Sequence, residues 1–328
     1  MVNRRHAMIR VSLEDMIHAK SWMDLGDCNY EIDHDDDDSI PESGVVYCNI
    51  EHIHKFFAKC ERTTNKYVVI SGFSDYGVAY QEEYPVAMDM IKTLSQQAVI
   101  GQLIPNLGYG DLSIPSRCDI EKCNIRHKYS VRCYGYTFST FAKIPDNVVK
   151  WFTVNPLIEE DKIQGIPLGV GKDASRDIFE TKTYDVDDKI NIAYVNWQDH
   201  TLERSQVKQA FIDFDPHWAT IVLEPKDYRD YLDELSKHIM VVCPAGNGTD
   251  CYRTLESIYL GCIPIVKRSP TINYLDGLPL LIVDNWNEIS QASLKEKYSE
   301  IITSSEYSLD KSKLSYWKKQ IEETRKLL

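Results

Sequence analysis

The sequence predicts an α/β fold with two domains, each organised around a parallel sheet. Its 328 residues exceed a typical single domain and suit two domains of about 150 residues each. Short apolar runs rich in β-branched residues alternate along most of the chain with longer amphipathic segments. Strands that alternate with helices are typical of parallel sheets, whose ligands bind at the carboxyl ends of the strands.

The first domain is predicted over residues 1–170. Its beginning has little pattern: the acidic run at 33–38 and the polar residues up to Gly44 indicate an exposed loop, with a metal-binding DxD motif as the alternative. From Val45 onwards strands and helices alternate. Strands are predicted at 45–50, 66–71, 131–135, 148–154 and 162–169, and helices at 53–60 and 84–98.

The second domain is predicted over residues 171–312, following a polar linker at 169–188, and residues 313–328 are predicted to form a separate C-terminal helical segment. Trp286 is expected in the core of this domain. Strands are predicted at 189–196, 219–223, 239–243, 263–266 and 279–283, and helices at 202–211, 227–236 and 314–327.

One stretch of the second domain, residues 237–269, combines a strand, a glycine-rich turn, a helix and a second strand. Residues 245–248 form the turn, Thr249 and Asp250 are candidate N-caps of the helix, and Gly261 ends the helix. The backbone N–H groups of such a turn and the positive end of the helix behind it suit a phosphate.

The helix carries Arg253 and Glu256, whose spacing alone is equally typical of an ion pair on a helix surface. The string CPAGNGTDCYRTLESIYLGCIPIVK, residues 243–267, resembles the nucleotide-sugar-binding segment of exostosin-like glycosyltransferases (glycosyltransferase family 47 and relatives). Ser257 replaces the alanine that is usual there, and residues 278–290 also resemble the family. The positions in register with the family's pattern are Asp250, Arg253, Glu256, Gly261 and Pro264.

This resemblance extends over about residues 190–290 and implies a GT-B fold, in which two Rossmann-like domains face each other across a cleft and a C-terminal helix crosses back to the first domain. It also implies a nucleoside diphosphate sugar as the donor, most commonly a UDP-sugar, with the leaving diphosphate held by the turn and by Arg253. Glu256 would accept hydrogen bonds from the ribose. The donor-binding residues that it implies are Gly246, Asn247, Gly248, Thr249, Asp250, Arg253, Glu256, Arg204 and Lys267.

Arg204 lies in the first helix of the second domain, where an arginine on the helix surface is the simpler interpretation. In the first domain, Asp75 follows a strongly apolar strand and is the candidate general base that takes the acceptor's proton, although an aspartate in such a loop is also typical of an Asx-turn. His127 is a competing base. Asn155, at the end of another strand, is a candidate acceptor-side residue that would hold a sugar.

The predicted function is transfer of a sugar to a hydroxyl of a growing glycan, with inversion at the anomeric carbon as the resemblance implies. Preorganised positive charge can replace a metal ion, so neither an essential metal nor another cofactor is expected. Two alternatives stay open: a nucleotide-sugar epimerase of the same fold, and a subunit that binds the donor without catalysis.

The formal charge of −13 argues against a general nucleic-acid or anionic-membrane binder, so an anionic donor needs a local cationic pocket. The sequence has neither an apolar run of eighteen residues nor the apolar core of a signal peptide, and the predicted location is the cytoplasm. Nine scattered cysteines favour buried, reduced thiols. The alternative, a zinc site, has spacings that match no common one. Its ligands would be Cys118, Cys123, His127 and Cys133.

Overall fold

The computed structural model describes the protein in nine stretches, which are residues 10–30, 39–72, 77–80, 124–127, 130–133, 136–171, 173–199, 201–224 and 226–328. Four predictions therefore lie outside the described residues: the helix at 84–98, the candidate base Asp75, the acidic run at 33–38 and the alternative zinc site, which includes Cys118 and Cys123. The side chain of His127, the competing base, is also outside the description.

The described strands belong to three sheets. They are β1 (Cys28–Asn29), β2 (Gly44–Tyr47), β3 (Tyr67–Ser71), β4 (Gly77–Tyr80), β5 (Asn124–His127), β6 (Ser130–Cys133), β7 (Tyr136–Phe141), β8 (Val148–Val154), β9 (Ile163–Ile166), β10 (Asn191–Val195), β11 (Ala219–Ile221), β12 (His238–Val242), β13 (Ile263–Lys267) and β14 (Leu281–Val283). The described α-helices are α1 (Ile53–Cys60), α2 (Ala174–Glu180), α3 (Leu202–Phe214), α4 (Tyr228–Leu235), α5 (Tyr252–Tyr259), α6 (Pro270–Tyr274), α7 (Gln291–Thr303) and α8 (Leu314–Arg325).

The first domain is organised around a five-stranded sheet in the order β1-β2-β3-β8-β9, in which every pair of neighbours is parallel. All five residues of β3 are buried, as expected for a central strand covered on both faces. Helix α1 covers one face, where Phe57 meets Trp151 edge-to-face at 5.1 Å and Phe141 meets the same indole at 5.0 Å. The core around this sheet is therefore built from the apolar, β-branched-rich runs that the sequence predicts to be strands.

A second sheet of the first domain was not predicted as a unit. It has the order β4-β7-β6-β5, with β4 parallel to β7 and the other neighbours antiparallel. The sequence prediction recognised only a strand at 131–135 in this region. Short strands that pair through hairpins have little periodicity of their own, which explains the omission.

The second domain has five parallel strands in the order β11-β10-β12-β13-β14. In chain order this is the doubly wound arrangement 2-1-3-4-5, and its direction reverses between β10 and β12. At such a reversal the loops that follow the two strands run to opposite faces of the sheet, which leaves a crevice at its carboxyl edge. Ligands of doubly wound sheets bind at this position.

Helix α8 leaves the second domain and packs on the first. Trp317 is buried, with its ring edge-to-face against Trp22 at 6.2 Å between centroids. The backbone N–H of Ser315 donates to the Asp15 carboxylate at 2.6 Å, and Arg325 pairs with Asp27 at 2.7 Å. Two parallel-stranded domains with a C-terminal helix crossing back confirm the GT-B architecture that the sequence predicts.

The linker predicted at 169–188 is the clearest difference in secondary structure, because it contains α2 and a short 3-10 turn, Val186–Asp188. Only Ala174 and Ile178 of α2 are buried, a single i, i+4 pair that is too short for periodicity to detect. Helix α3 continues to Phe214 rather than 211, and Asp215 ends it in a left-handed conformation.

Trp286 is buried in the second domain as predicted. None of the helices in the described stretches combines the length and the apolar character that crossing a bilayer requires. The six cysteines whose state is described are free thiols, and most of them are buried: Cys28, Cys48, Cys60, Cys243, Cys251 and Cys262.

Candidate active site

The candidate site lies in the crevice between β10 and β12. Residues 244–251, here named the glycine loop, follow β12 and lead into α5. Helix α5 begins at Tyr252 with Cys251 as its N-cap residue, so the prediction that Thr249 or Asp250 caps the helix is wrong. The polar groups of these two residues are engaged instead with the first domain and with α6, as described below.

Arg204 is buried beneath the glycine loop rather than exposed on a helix surface. The hydroxyl of Thr201 caps α3 by accepting the backbone N–H of Arg204, which directs the arginine at the loop. Its Nε donates to the Ala245 carbonyl at 3.0 Å, and its Nη2 lies 3.5 Å from the Pro244 carbonyl. Arg204 therefore holds the main chain of the loop through charge-assisted hydrogen bonds.

Gly246 is required by this arrangement. A Cβ atom at this position would lie 2.8 Å from Arg204 Nη2 and 3.4 Å from its Cζ. Any other residue would push the guanidinium away from the carbonyls that it binds. The backbone N–H of Gly246 donates to the Gly248 carbonyl at 2.9 Å, so this N–H group serves the loop itself. Asn247 at the tip is half-buried.

Glu256 and Arg253 face α4, which contradicts the alternative of an ion pair on the helix surface. Glu256 is buried, and its two carboxylate oxygens accept hydrogen bonds from Tyr228 at 2.9 Å and Tyr231 at 2.8 Å. The rings of these tyrosines are stacked, with centroids 5.9 Å apart. The half-buried Arg253 lies over the Tyr231 ring at 6.0 Å.

The electrostatics of this cluster single out Arg253. Burial raises the pKa of Glu256, whereas the neighbouring Arg253 charge and the tyrosine hydroxyls oppose the rise. The Nε and Nη1 atoms of Arg253 are buried and have no hydrogen-bond partner among the described residues. A buried donor without a partner costs roughly 1–3 kcal/mol, so this guanidinium is suited to an anion that supplies the missing acceptors.

Lys267 adds a further cation at the end of β13. It is buried, which lowers its pKa, and the charge of Glu203 opposes that effect. Glu203 itself accepts a hydrogen bond from Trp286 Nε1 at 2.8 Å. Arg204 and Arg253 lie in the first turns of α3 and α5, and Lys267 is the last residue of β13, so all three come from the carboxyl edge of the sheet, although the whole chain carries a charge of −13. Two buried carboxylates oppose these positive charges: Glu203 acts on Lys267, and Glu256 acts on Arg253.

Asn155 of the first domain contacts the glycine loop directly. It is fully buried and has φ +50°, a left-handed conformation that asparagine tolerates better than most residues. Its side-chain oxygen accepts the backbone N–H of Asp250 at 2.7 Å. This oxygen is therefore already used to hold the loop. The prediction that Asn155 holds a sugar stays a prediction.

Asp250 and Thr249 complete the contact between the domains. The Asp250 carboxylate is buried and accepts the backbone N–H of Leu168 at 2.9 Å through Oδ2. Burial raises the pKa of Asp250, and the N–H of Leu168 opposes the rise. Thr249 donates to the hydroxyl of Thr271 at 2.6 Å, and that hydroxyl donates to the Pro156 carbonyl at 2.7 Å.

Four residues of the site were missed in the sequence: Tyr228, Tyr231, Leu168 and Thr271. The two tyrosines are spaced i, i+3 in α4, but this spacing indicates only that they share a helix face. The other two lie in a segment after β9 and in α6, and only the packing of the domains brings them to the glycine loop. Asp75 stays a prediction, because it lies outside the described residues.

The comparisons with known proteins give short matches. The chain is 28% identical over 85 residues to "Ribitol-5-phosphate xylosyltransferase 1" of Mus musculus, covering 21% of this chain and 19% of that protein. The human protein of the same name is 26% identical over 106 residues, covering 27% of this chain and 24% of its relative. The matched region therefore spans about a fifth to a quarter of these relatives. No family model matches the chain.

Among solved structures, the comparison finds chains of trehalose-6-phosphate synthase. One of them, described as the E. coli protein bound with UDP-2-fluoro glucose, has a TM-score of 0.38 and 11% identity, covering 88% of this chain and 74% of that one. A TM-score this low carries no argument about function. The sequence matches agree with the coarser part of the resemblance, a similarity to glycosyltransferases, whereas membership of the exostosin-like family stays a prediction.

Proposed function

We propose that this protein is a glycosyltransferase that moves a sugar from a nucleoside diphosphate sugar to an acceptor hydroxyl. The observation that carries the proposal is Arg253: it lies on α5 beside the switch point of the second sheet, with two buried nitrogens that have no partner among the described residues. A diphosphate supplies acceptor oxygens and negative charge, and both match what this guanidinium lacks.

The glycine loop and the start of α5 support the same assignment. The helix dipole places partial positive charge at its N-terminus, where the loop can direct the N–H groups of Asn247, Gly248 and Thr249 at a phosphate. Arg204 holds the loop by its carbonyls and thereby fixes the direction of these N–H groups. The N–H of Asp250 is already engaged by Asn155, so we assign Asp250 to holding the loop in place.

Glu256 serves this site by fixing Arg253. Because Tyr228 and Tyr231 already occupy both carboxylate oxygens, the geometry favours a carboxylate that balances the arginine's charge over one that contacts a ribose directly. Lys267, at the end of the next strand, adds positive charge where the departing diphosphate gains negative charge. A UDP-sugar is the donor that we propose.

The reaction that we propose proceeds in one displacement. The acceptor hydroxyl oxygen attacks the anomeric carbon while a base, for which Asp75 is our candidate, takes its proton. The bond between the anomeric carbon and the diphosphate oxygen breaks, and Arg253, Lys267 and the loop N–H groups stabilise the electron pair that this oxygen keeps. Attack opposite the leaving group inverts the anomeric configuration. A glycan hydroxyl is the acceptor that we propose, and no step uses a metal ion.

The experiment that tests the donor site is ligand-linked stabilisation. The purified chain is heated with UDP, GDP, CMP, UDP-glucose, UDP-xylose or GDP-mannose, and a ligand at about 100 Kd should add roughly 2.7 kcal/mol of stability. Arg253→Ala should abolish the shift. Arg268→Ala is the matched control, because Arg268 lies beside Lys267 but is exposed and pairs with Asp284 at 2.6 Å. Equal shifts in both variants, or no shift with any nucleotide, would refute the assignment.

Product analysis separates transfer from the alternatives. With the stabilising donor and a panel of glycan acceptors, a transferase forms a new glycosidic bond and releases the nucleoside diphosphate. An epimerase changes the sugar without consuming an acceptor, and a subunit that only binds the donor forms neither product. Asp75→Asn should abolish transfer while the nucleotide-induced thermal shift persists.

A further inference from the structure

We infer that Asn155 is a positioning residue, whose side chain fastens the glycine loop to the first domain in the conformation that binds the nucleotide. The inference deepens the proposed function and rests on it. It is carried by a junction at which one residue of the first domain contacts both β4 and the glycine loop.

The main chain of Asn155 belongs to the first domain. It follows β8, and its carbonyl accepts the backbone N–H of Val78 in β4 at 3.2 Å. Strand β4 begins at Gly77, two positions after the candidate base Asp75 in the sequence. The backbone of Asn155 thus ties down the strand that follows the candidate base.

The side chain of the same residue contacts the second domain. Its Oδ1 accepts the N–H of Asp250 at 2.7 Å, and the Thr249 hydroxyl lies 3.5 Å from it. The left-handed backbone of Asn155, φ +50°, turns the chain so that carbonyl and side chain face different partners. One residue of the first domain therefore contacts β4 through its backbone and the glycine loop through its side chain.

The rest of the junction is packed closely enough to make this contact specific. A Cβ atom on Gly165 of β9 would lie 2.6 Å from the Tyr274 ring of α6, so the two domains meet here without spare room. Leu168 holds the Asp250 carboxylate from the first domain at 2.9 Å. Asp250 is held at its N–H by Asn155 and at its carboxylate by Leu168. Removing the Asn155 side chain therefore breaks the first contact and leaves the second.

Asn155→Gly is the variant that tests the side chain alone, because glycine adopts a positive φ without strain. The matched control is Asn273→Ala, which removes another asparagine that bridges the two domains, Nδ2 of Asn273 to Glu159 at 2.6 Å, on the exposed side away from the loop. If Asn155→Gly does not fold, Thr271→Val weakens the same junction by removing the hydroxyl that bonds to Thr249.

Two measurements follow. Site-resolved hydrogen exchange of the free protein should show the Asp250 amide exchanging at least about tenfold faster in Asn155→Gly, with the Val78 amide unchanged because its carbonyl partner remains. The Kd for UDP should rise by about tenfold, the factor that 1.4 kcal/mol represents. The control should change neither quantity.

An unchanged Asp250 amide, or an unchanged Kd for UDP in a variant of lowered stability, would overturn the inference, because a merely structural residue lowers stability without altering affinity. Thr271→Val leaves the bond between Asn155 and Asp250 in place, so for this variant the Kd for UDP decides: a rise supports a role of the junction in binding and an unchanged value opposes it. If the wild-type protein binds no nucleotide, the proposed function fails, and hydrogen exchange alone then decides whether Asn155 fastens the loop.

Discussion

Replacing Gly246 by alanine tests whether Arg204 holds the glycine loop. The added Cβ would lie 2.8 Å from Arg204 Nη2, so the guanidinium must move away from the carbonyls of Pro244 and Ala245. A hydrogen bond with a charged partner contributes about 1.5–3 kcal/mol. Alanine also reduces the conformational freedom of the unfolded chain, which stabilises the folded protein by about 0.4–1 kcal/mol. The free energy of unfolding should therefore fall by about 1–2 kcal/mol.

A double-mutant cycle isolates the cause. In an Arg204→Ala background the collision is absent, and Gly246→Ala should then stabilise the protein by about 0.4–1 kcal/mol, which gives a coupling energy of about 1.5–3 kcal/mol by urea unfolding. Gly171→Ala is the control, because a Cβ there meets only the Ala174 methyl at 3.6 Å, an ordinary contact. An equal cost of Gly246→Ala in both backgrounds would refute the structural reasoning.

Two further predictions concern packing and pH. Trp317→Ala should lower the free energy of unfolding by about 3–5 kcal/mol, because it leaves a cavity where α8 packs on the first domain. Urea unfolding measures this change, and a decrease of less than about 1 kcal/mol would show that α8 is not anchored there. Burial lowers the pKa of His238 to about 4 from an ordinary 6.5, so the unfolded chain binds its proton first. Stability from this residue is present above pH 6.5 and is lost as the pH falls towards 4, by about 3 kcal/mol in total. Unfolding midpoints measured between pH 7 and 4 should show a flatter slope for His238→Gln, and an unchanged slope would contradict this assignment.

The second domain was the more predictable half. Its strands are short apolar runs, and three of its helices, α3, α4 and α5, were predicted from the sequence. The ends of these strands differ from the prediction by at most two residues, since hydrogen bonding between neighbouring strands decides where pairing stops. Helix α2 escaped prediction because it buries a single pair of side chains.

The sequence identified the motif residues of the site, but it did not predict which residues they contact. Arg253 and Glu256 were singled out by their register with a family pattern, but nothing in their spacing tells that tyrosines from α4 occupy the carboxylate. Thr249 and Asp250 have the chemistry of N-caps, but Cys251 is the N-cap residue, because Asn155 and Leu168 of the first domain bind Asp250 and Thr271 of α6 binds Thr249. Local propensity was overridden by contacts that only the assembled domains provide.

The sequence by itself determined the α/β class, the two domains and the strand, turn and helix around Gly246, because these depend on periodicity and on residues close together in the chain. The tertiary structure alone decided that Arg204 lies under the glycine loop, that Arg253 keeps two buried nitrogens without a described partner, and that Asn155 joins the domains. Those contacts link residues 40 or more positions apart. Their geometry follows from how two sheets and the C-terminal helix pack, and packing leaves no periodic signal in a single sequence.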